Sequence, residues 1–106
     1  MKLFHYIKVY VPLGCEKSDT ILTCLTKSHG GCSVVSGIGT WISPQGDLIR
    51  EAVNFMLAWS NKPIHRTEVY TLADILLTAG EQSVGVEVDG TFYLIDATTI
   101  SEVLSW

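Results

Sequence analysis

The 106-residue sequence predicts an α+β domain in which an antiparallel sheet carries its helices on one face. Three observations predict it. A long apolar stretch, residues 30–61, folds back on itself at Ser43-Pro44-Gln45-Gly46, where proline presets the second turn position and glycine suits the fourth. Two segments with apolar residues three and four apart, one before that hairpin and one after it, have the period of helices. Near the end, Val84, Val86 and Val88 alternate with Gly85, Glu87 and Asp89, and Asp89-Gly90 suits a type I′ turn into a further strand.

The first strand, residues 3–11, is β-branched and aromatic and is expected at the sheet centre. Leu3, His5, Ile7, Val9 and Val11 take one side, and Phe4, Tyr6, Lys8 and Tyr10 the other. Pro12-Leu13-Gly14 ends it. Ser18 or Asp19 is the expected cap of a helix over 20–28 whose inner face carries Ile21, Cys24 and Leu25, and Gly30-Gly31 stops that helix after His29. In the hairpin, Ser33, Val35, Gly37, Gly39 and Trp41 share one face of the outgoing strand. Ile49, Glu51, Val53, Phe55, Leu57 and Trp59 share one face of the returning strand.

Residues 61–66 are polar and broken at Pro63, so they form an exposed connection. Thr71 and Asp74 resemble a capping box, which starts the second helix at Thr71 or as early as Glu68; Leu72, Ile75, Leu76 and Ala79 form its stripe, and Gly80 ends it. The strands over 84–88 and 91–95 follow. A second capping box, Thr99 to Glu102, opens a short helix or apolar arm over 100–106, with Trp106 packed on this subunit or the next. The order strand, helix, strand, strand, helix, strand is the split βαβ of ferredoxin-like domains. Residues 1–106 thus form one ferredoxin-like domain, βαββαβ, with an extra C-terminal hairpin strand and a short helix.

Composition narrows the function classes. Hydrophobic residues make up 47% and charged residues 17%, an apolar and charge-poor balance that fits a domain with an apolar interface. A net charge of −4 argues against nonspecific binding to nucleic acid or to an anionic membrane. All seven Lys and Arg lie at or before Arg66 among four acids, and seven acids follow with no base. The three cysteines, Cys15, Cys24 and Cys32, form no C-x-x-C pair, and their odd number leaves a thiol free, so a reducing cytoplasm is expected. The opening 1–15 partly mimics a lipoprotein leader, but His5 and Lys8 interrupt its apolar run and Pro12 stands where such a leader wants an aliphatic residue.

The run Gly37-Ile38-Gly39-Thr40-Trp41, then a turn, then Gly46 and Ile49-Arg50-Glu51, resembles the G-x-G-x-W, turn, R-E hairpin of a family of small ferredoxin-like domains of unknown function. The resemblance covers about a quarter of the chain and implies a hairpin geometry and no catalytic residues. Members of that family often carry leaders, and this chain departs from them there. Size and isolation are also similar to those of orphan proteins of phages and mobile gene cassettes.

No motif specifies a reaction. The spacing of Cys15, Cys24 and Cys32 matches no zinc knuckle, so no metal is expected, and neither is a cofactor. Cys32 has His29 close in sequence, but across a helix end and two glycines their side chains need not meet as a nucleophile and its base must. The open face gathers Tyr6, Tyr10, Trp41 and Trp59, with His5 depending on register, and these residues with Glu51 and Trp106 are the expected ligand or interface set. Lys62, His65 and Arg66 form a small basic loop.

The expected function is an oligomeric binding or interaction module, most simply a homodimer, that uses this face and takes a small apolar or aromatic ligand, with no nucleic acid or membrane partner. The alternative is a small cofactor-independent enzyme with Glu51 and a histidine such as His5 as acid and base, where burial would raise the Glu51 carboxyl and Lys8 is the competing salt-bridge partner.

Overall fold

A computed structural model describes residues 1–106. Its elements run β1 (His5–Pro12), α1 (Ser18–His29), β2 (Ser33–Ile42), β3 (Leu48–Ser60), α2 (Arg66–Thr78), β4 (Ser83–Val88), β5 (Thr91–Asp96) and α3 (Ile100–Val103). The five strands form one antiparallel sheet in the order β2-β3-β1-β4-β5, the split βαβ arrangement with β5 added outside β4. The expected α+β fold is the observed one.

The opening residues that mimic a leader supply the centre of the sheet. Ile7, Val9 and Val11 on β1 have no solvent exposure, and beside them lie Met56 and Ala58 of β3 and Val84 and Val86 of β4. The helices cover this face with Ile21 and Leu25 of α1, Val69, Leu72, Ala73 and Leu76 of α2, and Val103 of α3. Burial of β-branched and leucyl side chains on one face of an otherwise two-faced sheet is the main source of stability. A second tie joins the helices across their ends: His29 Nε2 lies 2.9 and 2.8 Å from the two Glu68 carboxylate oxygens.

Both turns form as their residues dictate. The Gly46 N–H donates to the Ser43 carbonyl at 2.9 Å, and Gly46 has φ +88°. Asp89 and Gly90 both take positive φ, 50° and 89°, as a type I′ turn needs.

The helix starts need correction. Ser18 turns its hydroxyl back to the Cys15 carbonyl, so α1 has no side-chain cap and begins at Ser18 itself. The second helix begins at Arg66, well before Thr71 and close to the earlier start near Glu68, because His65 is extended and its Nδ1 accepts the Thr67 N–H at 3.1 Å. Thr71 is inside that helix and donates its hydroxyl to the Thr67 carbonyl. Before α3, Thr99 does not act as a side-chain cap; the Asp96 carboxylate accepts the N–H groups of Thr98 and Thr99 instead.

The long hairpin outreaches the sheet. β1 pairs with Val53–Ser60 of β3, and the Leu13 N–H reaches the Ala52 carbonyl at 2.9 Å, so residues 48–51 pair with β2 alone and form a two-stranded arm. The molecule measures 47 × 30 × 24 Å.

Candidate functional site

Because the helices share one face, the alternate residues of every strand line the other, and strand register sets which of them meet. One row across the sheet reads Leu57, Lys8, Glu87, Phe92; the next reads Val35, Phe55, Tyr10, Gly85, Leu94. The Tyr10 ring meets Phe55 of its own row edge-on at 4.8 Å, and on its other side meets Phe92, which reaches over from the first row, at 5.2 Å. Two glycines make room for these rings. A Cβ on Gly37 would lie 2.5 Å from Phe55 Cε2, and one on Gly85 would lie 3.0 Å from Phe92 Cζ and 3.3 Å from Tyr10 Cγ.

Above this aromatic row stands a polar centre. Tyr6 donates its hydroxyl to Glu87 Oε2, and Lys8 Nζ lies 3.8 Å from Glu87 Oε1. The Glu87 bond, then desolvation, then the carboxylate charge hold the Tyr6 hydroxyl above its ordinary pKa, so it stays a neutral donor at physiological pH. Trp59 packs on Tyr6 with ring centroids 5.1 Å apart. The Tyr6 backbone N–H donates to Asp89 Oδ1 at 2.9 Å. His5 Nδ1 lies 2.8 Å from Asp89 Oδ2, and these bonds, the His5 one first, hold the Asp89 carboxyl below its usual range. The chemistry available is a flat aromatic floor with one carboxylate, one ammonium and one phenol at its centre. Such a floor suits a planar, cationic or nucleoside-like ligand.

The structure packs Trp59 on Tyr6, sets Tyr10 on the same face four residues along β1, and leaves the other expected residues apart. Trp41 shares the open face but sits on the arm opposite Ile49. Its β3 partner is ten residues from Trp59, the partner of Tyr6, so roughly 33 Å separates the two. Glu51 is also on the arm, opposite Gly39, and its charge adds to burial in raising the Glu81 carboxyl. His5 pairs with Ser60 and faces the helix side, so Glu51 and His5 lie on opposite faces and at opposite ends of the sheet. The other histidines are engaged elsewhere, His29 with Glu68 and His65 as the cap of α2.

Lys8 pairs with Glu87 and not with Glu51. Trp106 stacks on Tyr93 at 4.1 Å, and its carbonyl accepts from Arg66 Nη1 at 2.9 Å. With Ile64, His65, Val69 and Val88 these residues line a separate cavity of about 340 Å³. Cys15, Cys24 and Cys32 are free thiols half-buried against the core, and burial pushes the Cys32 thiol up.

Glu87, Phe55 and Phe92 are residues of this face that carry no site signal of their own in the sequence. The alternation over 84–88 already set Glu87 on the non-core side; only the β1–β4 register, which places it opposite Lys8, shows its partners.

No family profile matches the chain, and no curated protein matches it in sequence. Among solved structures, a phage S-adenosylmethionine (SAM) lyase in complex with S-methyl-5′-thioadenosine is similar in fold, with TM-score 0.62 and 19% identity over 88% of this chain and 89% of that one. A phage SAM lyase in the apo state gives TM-score 0.52 and 15% identity over the same shares.

Proposed function

We propose that the open sheet face binds S-adenosylmethionine and that the protein is a small cofactor-independent lyase that cleaves it to S-methyl-5′-thioadenosine. The observation that carries this reading is the aromatic cluster Phe55–Tyr10–Phe92 beside the Tyr6–Glu87–Lys8 centre, on a fold similar to that of a phage SAM lyase in complex with S-methyl-5′-thioadenosine. Adenine stacks on such rings, and a sulfonium is attracted to aromatic faces and to a carboxylate such as Glu87.

The reaction asks little of the protein. The substrate's own carboxylate attacks Cγ of its amino acid chain, the Cγ–S bond breaks, and the electron pair stays on sulfur. A lactone and a neutral thioether result, with no proton removed. The protein's part is to hold the chain folded for attack and to exclude water. This is the enzyme alternative with Tyr6 and Glu87 at its centre in place of Glu51 and a histidine.

The interaction reading has support of its own. The arm exposes Ile38, Trp41, Ile42 and Leu48 on its two faces, an apolar surface that supports self-association, and we propose a homodimer. Half-buried free thiols support a cytoplasmic location, and the phage likeness supports an origin in a phage or mobile gene cassette.

Titration calorimetry with S-methyl-5′-thioadenosine and with S-adenosylmethionine tests the site. Both bind the wild-type protein, and Tyr10→Ala weakens each by about tenfold or more. Absence of binding, or equal binding by Tyr10→Ala, overturns the reading.

A further inference from the structure

β2 is an edge strand of ten residues with no charge and no proline, so it has none of the devices that keep sheet edges from pairing. Val34, Ile38 and Ile42 lie on its helix-side face, yet neither helix covers them: Ile38 is 68% and Ile42 65% exposed. The free backbone groups can be assigned. The Ser43 N–H donates to the Asp47 carbonyl, and the β2–β3 register runs without a bulge from that turn. Hydrogen bonds in an antiparallel ladder alternate, so the odd residues of β2 bond to β3 and the even ones, Val34, Ser36, Ile38, Thr40 and Ile42, turn theirs outward.

The strand is also self-complementary about Ile38. Reading outward in both directions, Gly37 mirrors Gly39, Ser36 mirrors Thr40, Val35 mirrors Trp41 and Val34 mirrors Ile42. We propose that β2 pairs antiparallel with β2 of a second copy, on a twofold axis through Ile38, merging the two sheets into one. In that register every outward-turned residue meets another, giving about ten hydrogen bonds, two for each of the closely bonded pairs. Side chains match on both faces. Ile38 meets its own copy, Ser36 meets Thr40 as a hydroxyl pair, and an aromatic meets a β-branched residue at Val35 and Trp41.

The isologous geometry follows from the palindrome, and it names a second copy as the occupant, since no other partner has a reason to mirror this strand. The axis also places the partner subunit's Trp41 beside Val35, at the end of the row Val35–Phe55–Tyr10, so each copy extends the aromatic floor of the other. The inference takes self-association as its premise and needs no ligand.

Light scattering after size exclusion, over a range of concentrations, tests the premise, and cross-linking tests the edge. The wild-type chain runs at twice its 11.7 kDa. Ile38→Lys sets two like charges on the axis and returns the protein to monomer. Under oxidation Ile38→Cys forms a disulfide to its own copy, because closely bonded pairs hold Cα atoms about 5.5 Å apart. Thr40→Cys alone forms none, and Ser36→Cys with Thr40→Cys restores the cross-link, identified by peptide mass. A monomer or a trimer overturns the premise of a twofold dimer. A dimer that survives Ile38→Lys, or that cross-links through Thr40→Cys as readily as through Ile38→Cys, overturns the edge and leaves self-association standing.

Discussion

Gly37 and Gly39 sit on the same face of the same strand, yet their surroundings differ. A methyl group at Gly37 collides with the Phe55 ring, whereas one at Gly39 meets Val53 Cγ2 at 3.4 Å, an ordinary contact. Gly37→Ala therefore pushes Phe55 off the edge of Tyr10 and costs about 1–3 kcal/mol in urea unfolding, while Gly39→Ala changes stability by about 0.5 kcal/mol or less. The sequence placed both glycines on one strand face, but it did not show which ring lies over Gly37, because that ring is eighteen positions along the chain on a strand paired in one register.

Titration behaviour also belongs to single residues. Asp89 is held below its usual pKa by His5 and the Tyr6 N–H, and Asp96 by Thr98 and Thr99. A carboxyl lowered on folding adds stability that is present above its ordinary value near 3.9 and is lost as pH falls through the lowered one. Asp89→Asn and Asp96→Asn should each flatten the loss of stability below about pH 4. An unchanged acid limb in both variants contradicts these contacts.

Among the elements, the strands were legible because period-two alternation needs only local sequence, and Ile7, Val9 and Val11 were placed together on that ground. The start of α2 was not. Thr71 and Asp74 have the spacing of a capping box, but the chain already turns into helix at Arg66, capped by a histidine ring that does not signal a cap by its residue type. His65→Ala is expected to cost about 0.5–2 kcal/mol and His65→Asp to restore most of it, read by thermal or urea unfolding. The tie between α1 and α2 gives a larger effect: Glu68→Ala leaves His29, whose side chain is only 10% exposed, without its acceptor and costs about 1–3 kcal/mol.

At the scale of the molecule, the order of elements was enough to read the sheet as ferredoxin-like, since few topologies accommodate it. The candidate site was legible only in part. Tyr6, Tyr10 and Trp59 share the open face, but the carboxylate beside Tyr6 is Glu87 from β4, three strands further along the chain, and not Glu51, which register places on the arm. A sheet with helices on one face and aromatic rings on the other, with an uncharged edge, has two uncovered surfaces. In the proposed function a nucleoside lies on the first and a second copy of the chain pairs along the second.

The assignment of the open face is tested most directly by following S-adenosylmethionine in the presence of the purified protein, against a protein-free control, with S-methyl-5′-thioadenosine measured by chromatography. The thioadenosine is expected to accumulate over many turnovers, and Glu87→Gln and Tyr10→Ala to slow its formation about tenfold or more while each variant stays folded. Production no faster than in the control, with the substrate recovered intact, would contradict it.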